Sequence, residues 1–168
     1  MRIAPRLKLL AAALATVAFP SCVQYYNLPT DYSGPVATIR GTAAQKNVFK
    51  GESFTVTKVN GKLIAGRGAV ATPVGGGPVL AVQEPQIQVL PQPVTLTLTG
   101  GTVYAADGPA MVDGLFGGSR HVSGDISFTP KAGVDYRVKG LLDRGSESVW
   151  LVEEKSGKIV GQKISKGR

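Results

Sequence analysis

Alternation of apolar and polar residues with a period of two runs through most of the chain after residue 35. Val94, Leu96 and Leu98 share one face of an extended segment and Thr95, Thr97 and Thr99 the other. That is the pattern of a half-buried antiparallel strand. Ala37 and Ile39 alternate with Thr38 and Arg40 within Pro35–Thr42, predicting a first strand. Phe54 and Val56 share a face, and Val59 and Leu63 then flank Asn60-Gly61. Asn-Gly between apolar runs predicts a hairpin with a type I′ turn, because both central residues must take φ > 0. Val59 is out of phase with Val56, which predicts a bulge between them. Val122, Gly124, Ile126 and Phe128 hold one phase, and Val134, Tyr136 and Val138 another. Ser148–Glu153 is apolar on both faces, as an interior strand would be, with Trp150 expected in the core and its indole N–H satisfied locally. Ile159, Val160 and Ile164 close the series.

The punctuation fits the same picture. Pro91 and Pro93 confine the start of the Val94 strand to a sheet edge or a bend. Gly100-Gly101 is read as a turn that separates Thr99 from a short strand at Thr102–Tyr104. With 22 glycines and 11 prolines, long helices and coiled coils are excluded. About seven to eight short strands and no helix after the first segment predict an all-β protein, an antiparallel β-sandwich of immunoglobulin or transthyretin type. Two stretches escape the pattern. Residues 65–85 carry Gly75-Gly76-Gly77 between Pro73 and Pro78 and read as a flexible loop or flap. Residues 105–120 form a Gly-rich loop holding Met111, Val112, Leu115 and Phe116. Those four side chains either plug one end of the sandwich or form a contact patch for a partner.

The first 21 residues follow a different logic. Arg2, Arg6 and Lys8 stand without an acid, and Leu9–Phe19 is an uncharged run. As a helix that run would span about 16 Å against a hydrocarbon core of about 30 Å, so it is read as a signal segment and not as a membrane span. Residues 22–34 then read as a tether and 35–168 as the sandwich domain. Loss of residues 1–21 lowers the net charge from +8 to +5, as sixteen bases remain against eleven acids.

Ser21-Cys22 directly after the short apolar run resembles the lipobox of bacterial lipoproteins, although Phe19 and Pro20 depart from its usual letters. The resemblance implies that Cys22 becomes the first residue of the mature chain. It would carry thioether-linked diacylglycerol and an N-acyl chain such as palmitate. Two or more acyl chains anchor stably where one is marginal. Val23, in place of Asp after the Cys, implies the outer membrane with the domain facing the periplasm. The alternative is ordinary cleavage after Ala18, giving a soluble periplasmic or secreted protein with Cys22 as an unpaired thiol. Further resemblances run along the body. Val59-Asn60-Gly61-Lys62, Leu90–Leu96, Phe128–Tyr136 and Val149–Val160 are similar to segments of small bacterial lipoproteins with PEGA or carboxypeptidase-regulatory-like sandwiches. These imply a sandwich and transfer no catalytic residue.

Candidate chemistry is sparse. One Cys and one His exclude a disulfide scaffold and a zinc ribbon. Ser119, His121 and Asp125 invite a triad, the basis of an alternative reading as a periplasmic hydrolase or carbohydrate-processing enzyme using Ser119 and His121. Residues i and i+2 of a strand lie about 6.6 Å apart, beyond a nucleophile–base hydrogen bond. Asp107, Asp113 and Asp125 lack the spacing of a calcium loop, and Glu153-Glu154 reads as a solvated strand end. No metal and no cofactor beyond the acyl groups is expected, and no nucleic-acid motif is present. The expected function is a non-catalytic binding or structural module at the cell envelope. Its partners are the membrane and another envelope protein or a polyanionic wall polymer, the last attracted weakly by the basic tail Lys158–Arg168.

Overall fold

The computed structural model describes residues 23–47, 50–65, 71–73, 80–82, 84–104 and 119–166. The strands are β1 (Ala37–Arg40), β2 (Thr42–Gln45), β3 (Lys50–Val59), β4 (Lys62–Leu63), β5 (Ala71–Pro73), β6 (Leu80–Val82), β7 (Gln86–Val89), β8 (Val94–Tyr104), β9 (His121–Phe128), β10 (Asp135–Asp143), β11 (Ser146–Glu153) and β12 (Ile159–Ser165). Among the described residues there is no helix. The first sheet runs β2-β3-β8-β9 with β4 also on β3, and the second runs β12-β11-β10-β1-β7. The protein is an all-β sandwich. Its two sheets hold ten strands, more than the seven or eight expected: the Pro35–Thr42 run divides between the sheets, and the segment ahead of Val94 forms a strand of its own, β7, in the other sheet.

Both departures have a local cause. β1 leaves the second sheet at Gly41 and continues as β2 in the first. A Cβ on Gly41 would lie 2.9 Å from the Phe54 carbonyl oxygen and 2.9 Å from Pro85 Cδ, so the corner admits only glycine without a shift. β7 pairs with β1 in the second sheet, and Leu90–Pro93 then carries the chain across to β8 in the first. The two prolines mark that crossing and not a sheet edge. Among the named strands all pairings are antiparallel except β1 with β10, where Thr38 meets Asp135 in parallel.

The expected turn and bulge are present. Asn60 and Gly61 take φ of 50° and 77°, and the register shifts between Val56 and Lys58. The Asn60 side chain also accepts the Thr95 N–H at 2.9 Å, tying the turn to the start of β8.

Gly100-Gly101 does not turn the chain. β8 runs unbroken from Val94 to Tyr104, paired with β3 from Leu96 to Tyr104. The reason is Phe54. A Cβ on Gly100 would lie 2.7 Å from its Cδ1, and a Cβ on Gly140 of the opposite sheet would overlap its ring. The two glycines form the slot in which the ring lies. Around it Ile39, Leu96, Leu98, Ile126, Val138, Leu142, Val149 and Leu151 are almost wholly buried. Phe128 and Tyr136 meet edge to plane with centroids 5.3 Å apart, and the Tyr136 hydroxyl accepts the Lys131 N–H at 3.0 Å.

Trp150 is another departure. It points outward from β11, half-buried, with Lys163 Nζ 4.4 Å from its ring centroid. Inward positions on that strand belong to Val149 and Leu151. Within 65–85, β5 and β6 pair as a short hairpin, β6 lies against β2 and β3, and residues 66–70, 74–79 and 83 are outside the described set.

Candidate functional site

The two flanks of the sandwich close differently. On one, β12 packs on β9, with Ile164 over Gly124, where a Cβ would come within 2.9 Å of its Cγ2. On the other, between β4 and β7, the segment after position 22 takes that place. Leu63 donates its N–H to Gln24 at 2.9 Å, and Tyr26 donates its own to Leu63 at 2.7 Å. Tyr25 forms a parallel bridge with Leu63. The Tyr26 hydroxyl then spans the gap to donate to the Gln88 carbonyl at 3.1 Å, and its ring packs on the core. Part of the expected tether is thus bound as an extra strand. The available signal was the pair Tyr25-Tyr26, one exposed and one half-buried, as alternation requires.

Half-burial raises the Tyr26 hydroxyl above its ordinary value of 10.0, because the phenolate would lose water. The neutral form is the one that docks. Its stabilisation is therefore fully present below pH 10 and is lost as pH rises through the raised value. Alkaline titration followed by proteolysis at the amino-terminal segment is expected to show release in wild type. In Tyr26→Phe the accessibility should be higher at neutral pH and flat across the alkaline range. Identical alkaline profiles would remove Tyr26 as the cause.

Two ends of the sandwich follow from the register. The turn end holds Asn60-Gly61, the Leu90–Pro93 crossing and the turns before β10 and after β11. Val23 lies there, since Gln24–Tyr26 runs parallel to β4 away from that turn. At the loop end, Lys50 pairs with Tyr104, and the Tyr104 and Ser119 hydroxyls are 3.2 Å apart. From Leu96 to Tyr104 along β8 the ends are roughly 26 Å apart.

At the turn end, Val23 is 59% and Tyr25 54% exposed. Val23 lines an open hollow of about 500 Å³ together with Lys58, Asn60, Gly61 and Lys62. A second hollow of about 520 Å³ lies behind Tyr26, between Ile64 and Gln86–Gln88. On the outer face of the second sheet, Glu154 Oε1 accepts from Arg137 Nε at 3.0 Å and Nη2 at 2.7 Å, while Arg137 Nη1 reaches Glu84 at 3.0 Å. The hydrogen bond to Glu154 is the main cause of a raised Arg137 value. Arg40 lies 3.5 Å from Glu154 and 3.8 Å from Asp135. Glu154 is therefore the hub of a surface ion-pair cluster and not a solvated strand end, and pairs so exposed stabilise by at most about 1 kcal/mol each.

Ser119 and Asp125 are held by different partners, and neither of these is His121. Ser119 lies against Tyr104, and Asp125 accepts from Thr97 Oγ1 at 2.7 Å. His121 and Asp125 point to the same exposed face but are four residues apart on β9, about 13 Å. Asp125 belongs to a ladder of paired hydroxyls with Thr95–Ser127 at 2.9 Å and Thr99–Ser123 at 3.0 Å. Among the described residues no three His, Cys, Asp or Glu side chains gather as a metal site, and no helix is long and apolar enough to cross a membrane. Cys22, Met111, Val112, Leu115 and Phe116 lie outside the described residues. Compared with protein families, curated proteins and solved structures, the chain matches none.

Proposed function

We propose that this chain is a lipid-anchored envelope protein whose sandwich is a non-catalytic binding or structural module. The anchor is Cys22, acylated on sulfur and nitrogen, most simply in the outer membrane with the body facing the periplasm. The observation that carries the reading is the order of features at the amino terminus. A basic stretch, an uncharged run too short to span a bilayer, and Ser21-Cys22 are followed within two residues by packed structure, at Gln24 against Leu63. An acyl group at Cys22 would then sit beside the turn end. Residues 105–118, with Met111, Val112, Leu115 and Phe116, depart from the opposite end and would be offered to partners away from the bilayer. That arrangement suits a scaffold that presents contacts on loops.

Mass spectrometry of the amino-terminal peptide, from protein extracted out of envelopes, tests the anchor. The expected peptide begins at Cys22 with a diacylglyceryl thioether and an amide-linked acyl chain. An intact leader, or a free thiol at Cys22, would overturn the reading.

A further inference from the structure

We propose that the turn end of the sandwich is itself a membrane-docking surface, binding the headgroups of an anionic bilayer through Lys58 and Lys62 with Val23 and Tyr25 inserted at the interface. The direction of docking rests on Cys22 being the anchored residue; the surface chemistry does not. Lys58 and Lys62 are exposed on adjacent strands, and together with Val23 they line the hollow at the β3–β4 turn, whose described lining holds no acidic side chain. The nearest acids of that end are otherwise engaged or fewer than the bases. Asp135 and Glu154 pair with Arg40 and Arg137, which leaves Asp31 and Glu153 against Lys58, Lys62, Lys131, Lys155 and Lys158.

Distance selects the turn end from the rest of the surface, and the hollow beside Val23 selects these two lysines within it. Headgroup attraction decays within a Debye length of about 8 Å at physiological salt. Gln24 is fixed to Leu63, the neighbour of Lys62, and the two residues from Cys22 to Gln24 span at most about 7 Å. An anchor at Cys22 therefore holds the edge that carries Lys62 at the bilayer side of the domain, whereas the bases of the loop end lie farther away by several Debye lengths. The residues between anchor and lysines have the form an interface favours. Tyr25 presents an amphipathic ring, Val23 an apolar side chain, and lysine stems lie along apolar surface with the ammonium at the headgroups. At about a fivefold gain per lysine, two shift the ratio of docked to undocked domain on the order of 30-fold.

The test uses full-length protein carrying Tyr25→Trp, taken from envelopes and reconstituted into vesicles with brominated acyl chains. Wild-type protein supplies the Trp150 baseline. Quenching of the added indole should be stronger in vesicles containing phosphatidylglycerol than in phosphatidylcholine alone. Lys58→Glu with Lys62→Glu should abolish the difference, as should raised salt, which requires no substitution. Equal quenching in both vesicle types, or quenching untouched by charge reversal and salt, would overturn the docking surface. If the amino-terminal peptide still bears lipid in that case, the anchor stands. An unmodified Cys22, with composition-dependent quenching by vesicles added from outside, would instead remove the anchor and support the docking surface.

Discussion

Phe54→Ala is expected to destabilise the sandwich by about 3–5 kcal/mol, the cost of emptying a core site whose walls cannot collapse. The walls here are two backbones. Gly100 lies under the ring in one sheet and Gly140 faces it from the other, and neither has a side chain to move into the space. A lowering of the melting temperature on the order of 10 °C follows for a chain of this length. Gly140→Ala probes the same slot from the opposite side. In the wild type its methyl group would collide with the ring, an overpacking cost of about 1–3 kcal/mol. In the Phe54→Ala background that collision is gone, so the double variant should be more stable than the sum of the two singles predicts. Urea unfolding of the four proteins measures this coupling directly. Strict additivity would show that the ring and the glycine do not compete for one space.

The second large effect concerns Cys22. On the lipoprotein reading, Cys22→Ser removes every acyl chain, each worth about 0.8 kcal/mol per buried CH₂. Fractionation should then show loss of the mature, envelope-bound form. The product expected in its place is either an unprocessed precursor with its leader intact or a soluble domain cut at another position. Lys58 and Lys62 remain in this variant, but two lysines supply only about 2 kcal/mol, far below what acyl chains contribute. Unchanged fractionation of a correctly processed Cys22→Ser chain would sink the anchor.

Much of the architecture is written locally. The Asn60-Gly61 turn, the bulge after Val56 and the two faces of Val94–Thr99 follow from backbone preference and a period of two, both properties of neighbouring residues. Misreadings arose where a residue distant in sequence decides. Gly100-Gly101 has the composition of a turn, yet it stays extended because Phe54 needs the room. Gly41 sits in an alternating run with no sign of a corner until Pro85 and the Phe54 carbonyl are brought beside it. Trp150 has the size of a core residue, but neighbours on both sides already fill the inward positions of β11. The site divides in the same way. The proposed anchor at Cys22 rests on neighbouring letters alone, while the binding of Gln24–Tyr26 to β4, which brings Val23 beside Lys58 and Lys62, depends on the tertiary fold.

The parallel pairing of β1 with β10 bears on how the chain can fold as it emerges. β1 lies between β7 and β10, and its continuation β2 binds the β10 backbone through Thr42 and Val138, 96 positions apart in the chain. A polypeptide delivered amino terminus first therefore holds its earliest strand without one of its neighbours until most of its length has appeared. Closing so large a loop places the protein among slow folders, on the order of milliseconds to seconds. Through that interval β1 presents an unsatisfied edge to any other extended segment nearby.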